Sequence, residues 1–272
     1  MEREQLEVAD AGPAARPLPI HVRSVPFDAP WSWLARGWSD LWTLPHVSMT
    51  CGAIFSLIAA AFVYGLTVRG LEAVMLALAG GFMLVGPMAA VTFYETSRRL
   101  EEQAPVTPAA LARSIATAPG QLGFFGAILS FAYVVWLQLA LLLFMLFFGG
   151  RPFPPASEFV PTLLFTSHGL GLLVTGSIVG GIVAGIVFMI SVVSVPLLMT
   201  ERIDAVTAIR TSVRAVLSNP KPMLLWAGLI AGLMSLGLAT MFVGLAIAFP
   251  LVGHATWHAF CDLVSRESES YL

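Results

Sequence analysis

Charge is the scarcest property of this chain. Of 272 residues, 11% are Asp, Glu, Lys or Arg, while 57% are hydrophobic and the mean hydropathy is +0.84. A soluble domain carries roughly 25% charge, so this composition excludes an ordinary water-soluble surface. The net charge of -2 comes with no basic run, which excludes a nucleic-acid partner. Cysteine is nearly absent. Cys51 and Cys261 lie far apart, form no metal-ligand or redox spacing, and are expected to be free, buried thiols. No cleavable signal pattern is expected, because the first 46 residues mix charges and prolines without a short apolar run and a small-residue cleavage site. No P-loop, glycine-rich dinucleotide fingerprint or nucleophile-base pattern appears. The apolar runs lack ionisable residues near their centres, with Gln138 the chief polar exception, whereas proton pumps and charge-moving sensors usually carry such groups. No catalytic residue can be named, and a protein that is not an enzyme, without metal or cofactor, is the expectation.

Long apolar runs are what the chain does have. A bilayer core of about 30 Å takes roughly 20 apolar residues per helix. Runs at about 48–68, 71–94, 122–148 and 170–199 meet that length. The last run, about 222–260, would be near 57 Å long at about 1.5 Å per residue. That is too long for one helix and enough for two short ones turning near Gly237 to Thr240. The expected fold is therefore all-α: a polytopic transmembrane helical bundle of six spans rather than five, residues 27–266. A disordered cytoplasmic tail is expected over 1–26 and a short C-terminal tail over 267–272. Of 14 basic residues, only Arg69 and Arg151 fall in the segments after the first and third runs. Lys and Arg favour the cytoplasmic side, which places the N-terminus there, and with six spans the C-terminus too.

A repeated layout supports six. WLARGWSDLWTLP (Trp33 to Pro45), ALARSIATAP (Ala110 to Pro119) and AIRTSVRAVLSNP (Ala208 to Pro220) each lead through a proline into an apolar run. Trp31, Leu34, Trp38, Leu41 and Trp42 have the spacing of Val206, Ile209, Val213, Val216 and Leu217, one helix face in each case. Pro87, Pro196 and Pro250 then fall in the second helix of each pair, where proline kinks a helix and frees a carbonyl. These amphipathic stretches are expected to lie on the cytoplasmic leaflet as three related hairpins' interfacial helices. Trp31, Trp33, Trp38 and Trp42 would act as interfacial anchors, with Arg36, Arg210 and Arg214 facing anionic headgroups. Partner recognition is the other reading of the same stretches.

Two polar constellations stand out. In Gly253-His254-Ala255-Thr256-Trp257-His258 the histidines share a helix face at i and i+4. A zinc helix of the HExxH kind needs Glu where Ala255 stands, and two ligands are too few alone. A hydrogen-bonded pair is the plain reading, with metal or haem ligation and proton handling as alternatives. In Tyr94-Glu95-Thr96-Ser97-Arg98-Arg99-Leu100-Glu101-Glu102, Glu95 follows the apolar run almost directly. A carboxylate near lipid is costly and either pairs with an arginine or serves function. Arg98 and Glu102 can pair at i,i+4. Aligning Pro87 with Pro250 puts Glu95 and His258 at equivalent places, so a shared polar cluster of Glu95, Arg98, His254 and His258 is expected. Gly176 with Gly180, Gly181 with Gly185, and Gly228 with Gly232 have the small-xxx-small spacing of closely packed helices.

Taken together, several of these residues resemble a known family. Trp33-Leu34-x-Arg36-Gly37-Trp38-x-Asp40 before Pro45 is one piece, and Gly81 to Pro87 leading to Tyr94-Glu95-x-Ser97-Arg98-Arg99-Leu100-Glu101 is another. Ser212, Ala215, Asn219-Pro220, Trp226 and the Pro250 to His258 segment complete it. Over roughly residues 22–266 the chain resembles bacterial integral membrane proteins of domain-of-unknown-function family 2189. The resemblance implies a multi-pass protein of the bacterial cytoplasmic (inner) membrane and no biochemical activity. Two functions remain: a non-catalytic membrane subunit or scaffold, and a small-solute transporter or channel-like protein. The expected partners are the lipid bilayer and either a second copy or another membrane protein.

Overall fold

The computed structural model describes residues 20–69, 75–115, 119–149, 154 and 156–266. A short strand β1 (Ile20–Val22) precedes α1 (Ala29–Thr43), α2 (Pro45–Val68), α3 (Met75–Ala89) and α4 (Val91–Glu101). Next come α5 (Pro108–Ile115), α6 (Pro119–Phe148), α7 (Ala156–Phe165), α8 (Ser167–Ser191) and α9 (Ser194–Thr200). The chain continues through α10 (Ala205–Ser218), α11 (Pro220–Ala239) and α12 (Leu245–Leu263) to β2 (Val264–Arg266).

Local chemistry sets the boundaries. Pro30, Pro45 and Pro220 sit in the first turn of α1, α2 and α11, where a missing N–H costs nothing. Thr166 and Asp204 cap α8 and α10 by accepting from Gly169 N and Thr207 N at 3.1 and 2.9 Å. The prolines act in two ways. Three residues after Pro87, Ala90 separates α3 from α4, and Pro196 falls in the first turn of α9 just after a break at Val192 and Val193. Ser212 bridges that break by donating to Met189 O at 2.8 Å and accepting from Val193 N at 3.1 Å. Pro250 leaves α12 unbroken but cannot donate to Ala246 O, and Gly52 of α2 packs against that carbonyl.

The described helices include four that are long and apolar enough to cross a membrane: Pro45–Val68, Gly120–Phe148, Ser167–Thr200 and Pro220–Ala239. The expected runs at 71–94 and 245–260 are helical where described, as α3 with α4 and as α12, but are not among those four. The outward faces are apolar: Ile54, Leu57, Ile58 and Phe62 on α2, and Leu170, Val174, Ile178, Ile182 and Ile186 on α8. Exposed stripes of this length suit lipid rather than water.

Helix packing runs in a cycle. α12 packs on α1 and α2, α3 and α4 pack on α6 and α5, and α8 and α9 pack on α10. Each apolar second helix therefore leans on the amphipathic helix of the following segment. The amphipathic helices gather at one end. Gln121 at the start of α6 accepts from Ala205 N at 3.0 Å. Asn219, between α10 and α11, accepts from Val25 N at 2.9 Å and donates to Arg23 O at 3.0 Å.

Three expectations need correction. Residues 20–26 do not belong to a disordered tail. β1 pairs antiparallel with β2, Ile20 opposite Arg266, and Asn219 holds the segment that follows. The rest of the tail expected over 1–26, and the one expected over 267–272, lie outside the described residues. Apart from this two-stranded ribbon the described elements are helical, as expected of an all-α fold. The glycine pairs are not where helices meet. A Cβ on Gly176, Gly181, Gly185, Gly228 or Gly232 would find open space, and only Gly180 of those residues faces a neighbour, Trp136. Backbone contact occurs instead at Gly37, where a Cβ would stand 2.6 Å from Ala255 N, and at Gly52, 2.2 Å from Ala246 O. Spacing alone does not say which side of a helix its glycines face. Cys51 and Cys261 are free thiols, each partly exposed rather than buried.

Candidate functional site

The densest polar arrangement lies where α1, α2, α4 and α12 meet. From Gly253 to Phe260 every residue of α12 is buried, because protein surrounds the helix. On α4, Phe93, Ser97 and Glu101 recur every four residues and form one stripe facing α12. Gly253 admits that stripe, since a Cβ there would stand 2.7 Å from Phe93 Cβ. Gly37 lets α1 lie equally close on the other side.

A chain of hydrogen bonds crosses this junction. His254 Nε2 lies 2.9 Å from Ser48 Oγ on α2, and Nδ1 lies 2.8 Å from Ser97 Oγ on α4. Ser97 donates to Asp40 Oδ2 on α1 at 2.6 Å, and the same oxygen lies 2.8 Å from His258 Nε2. His258 Nδ1 is 3.1 Å from Glu101 Oε1, a charge contact off the line of a well-directed hydrogen bond. Trp257 Nε1 donates to Glu101 Oε2 at 2.9 Å. A second knot follows on α12, where Asp262 accepts from Trp33 Nε1 at 2.8 Å and pairs with Arg36. His258 beside Glu101 lowers that carboxyl below its usual range. Partial burial opposes the shift, and the Trp257 bond adds to it.

The donor count places one hydrogen on His254. Ser97 has one hydrogen and gives it to Asp40, so His254 Nδ1 must be the donor to Ser97. Full burial of the ring favours the neutral form, in which Nε2 accepts from the Ser48 hydroxyl. His258 donates from Nε2 to Asp40 and holds Nδ1 in a charge contact with Glu101, and a carboxylate beside each nitrogen favours the imidazolium.

The four residues expected to cluster fall into two adjoining groups. Glu95 is 2% exposed, and Arg98 Nη2 and Arg99 Nε lie 2.8 and 2.5 Å from its Oε1. Arg98 also pairs with Glu102 at 2.8 Å. His254 and His258 belong to the network around Asp40. Two residues along a helix are about 200° apart, so Glu95 points away from the Ser97 stripe. The three bonds of Glu95 from two arginines meet the need of a buried carboxylate for compensation.

The same angle corrects one anchor. Trp31, Trp38 and Trp42 are 56%, 47% and 53% exposed and share the outer face of α1. Trp33 does not join them. It is fully buried, edge-on to Trp226 at 5.7 Å, and bonded to Asp262. Sequence reasoning missed Asp40, Ser48, Ser97, Glu101 and Asp262 as members of the site. One signal was present: Asp40 lies one turn from Gly37 on a face whose counterparts in α10, Ser212 and Ala215, are small.

Residues 74–200 match the family described as predicted integral membrane protein (DUF2189), which reaches from the start of α3 to the end of α9. That is a shorter stretch than the roughly 22–266 over which the resemblance was read. It takes in Glu95, Ser97, Arg98 and Glu101 but not Asp40, His254 or His258. No curated protein and no solved structure matches the chain. With four helices long and apolar enough to cross a membrane and this matched segment, the chain is an integral membrane protein whose residues 74–200 are similar to the DUF2189 family.

Proposed function

We propose that this chain is a non-catalytic membrane subunit or scaffold of a bacterial cytoplasmic membrane, working without a cofactor. Six spans in three related hairpins would cross the bilayer, with both termini in the cytoplasm. The cyclic packing of α12 on α1 and α2, of α3 and α4 on α6 and α5, and of α8 and α9 on α10 supports three related units. The arginine asymmetry supports the orientation.

One observation carries the scaffold reading. At the junction of α1, α4 and α12 the polar side chains bond to one another, while α1 turns Trp31, Trp38 and Trp42 outward. Trp38 and Trp42 stack edge-on at 5.7 Å. A rigidly held aromatic face suits the membrane interface, where an apolar ring carries a polar edge. The broken helices favour the transporter or channel-like reading, since such breaks can line a substrate path.

Purification in mild detergent followed by mass spectrometry separates the two. A subunit or scaffold is expected to bring down another membrane protein in fixed stoichiometry, and that yield should fall when Trp31, Trp38 and Trp42 are replaced together by alanine. A homogeneous preparation of this chain alone would favour the transporter reading.

A further inference from the structure

His258 joins three helices through one ring. Its Nε2 meets Asp40 of α1 at 2.8 Å, its Nδ1 meets Glu101 of α4 at 3.1 Å, and the ring belongs to α12. The His258 side chain is 5% exposed, but that of Glu101 is 42% exposed, so water reaches the Nδ1 side of the contact. Among the described residues the titratable and charged groups around the ring are Asp40 and Arg36 on α1, Glu101 on α4, and His254, Cys261 and Asp262 on α12.

We infer that His258 is a proton-binding site whose occupancy couples α4 to α1. With the proton bound, the ring donates to Asp40 of α1 and sets its positive charge beside Glu101 of α4. Three carboxylates, Asp40, Glu101 and Asp262, then face two cations, His258 and Arg36. Loss of the proton breaks the N–H bond at one nitrogen, and water takes the proton away past Glu101. The neutral ring keeps a single donor. The Nε2 contact to Asp40 is the shorter and better directed, so the remaining hydrogen stays there and Glu101 faces a bare lone pair. Trp257 continues to hold Oε2 of Glu101, so the end of α4 loosens without leaving. His254, one turn earlier and already neutral, does not take part in this step. Ser97 still donates to Asp40, so the site converts proton concentration into the strength with which the Glu101 end of α4 is tied to α12 and, through the ring, to α1.

The test uses the full-length protein in lipid bilayers, labelled with nitrogen-15 at histidine. Its five histidines are separated by comparing wild type with His258→Ala. A free histidine, with a pKa of about 6.5, is roughly tenfold more neutral than charged at pH 7.5. We expect one ring to be doubly protonated at pH 7.5 and its signal to vanish in His258→Ala. We also expect the melting temperature of the wild type to step down as the pH rises above the ordinary histidine range, and this step to be lost in Glu101→Gln. A neutral His258 ring at pH 7 would overturn the inference. So would a step of equal size in wild type and Glu101→Gln. Both readouts are independent of whether a partner protein co-purifies.

Discussion

Replacing Asp40 by alanine is expected to lower the unfolding free energy by about 3 kcal/mol, the low end of what breaking a buried ion pair costs. The Asp40 side chain is only 16% exposed, and its Oδ2 accepts from both Ser97 and His258. Without it, the His258 imidazolium keeps one carboxylate, and the fully buried Ser97 hydroxyl loses its acceptor. The loss spreads to α1, α4 and α12 together because Asp40 is the point where they meet. Asp40→Asn should recover part of the loss, since an amide oxygen can accept one of the two bonds but carries no charge. Ser39→Ala, on the exposed side of the same helix, should change stability by less than about 0.5 kcal/mol. Unfolding followed in a fixed detergent measures all three. An Asp40→Ala protein as stable as the Ser39→Ala control would mean that the network does not hold these helices.

A second large effect is expected at Gly37. A Cβ there would stand 2.6 Å from the Ala255 amide nitrogen and 2.9 Å from its Cα, atoms that cannot swing aside as a flexible side chain could. Gly37→Val should therefore push α1 away from α12 and cost about 3 kcal/mol, the upper range for overpacking a close contact. Separation of the helices also lengthens the Asp40 to His258 contact, so the effect is not confined to packing. Gly228 is the matched control. Its Cβ would meet open space within a helix, and Gly228→Ala should stabilise by about 0.5 kcal/mol through the higher helix propensity of alanine. Thermal melts of both variants under one condition give the comparison. Equal melting temperatures would contradict the close approach at Gly37.

Much of the helical framework could be read directly, because a run of twenty apolar residues has few other uses. The outward stripes of α2 and α8 need no partner beyond lipid. The span count stayed less legible at α3 with α4 and at α12. Proline interrupts the first of these near Ala90, and polar residues crowd the second from Gly253 onward. Those same polar residues marked the site, but only one side of it. The i,i+4 spacing of His254 and His258 is visible in any sequence. Their partners Asp40, Ser48 and Ser97 come from more than 150 positions away, and no local pattern announces such contacts. Pairing Glu95 with His258 followed from repeat alignment, which equates positions along a helix but not the side toward which each residue turns. Trp33 shows the same limit: two residues from Trp31, it lies on the opposite face of α1 and fills the core.

The account depends most on one arrangement: α1, the end of α4 and the end of α12 lie together on the cytoplasmic side of a membrane. Reporter fusions placed after Leu272 and in the 150–165 connection test this in intact cells. The expected result is a cytoplasmic signal for the fusion after Leu272 and a signal from the opposite side for the fusion in the connection. A fusion after Leu272 that reports the outer side, or two fusions that report the same side, would contradict the arrangement.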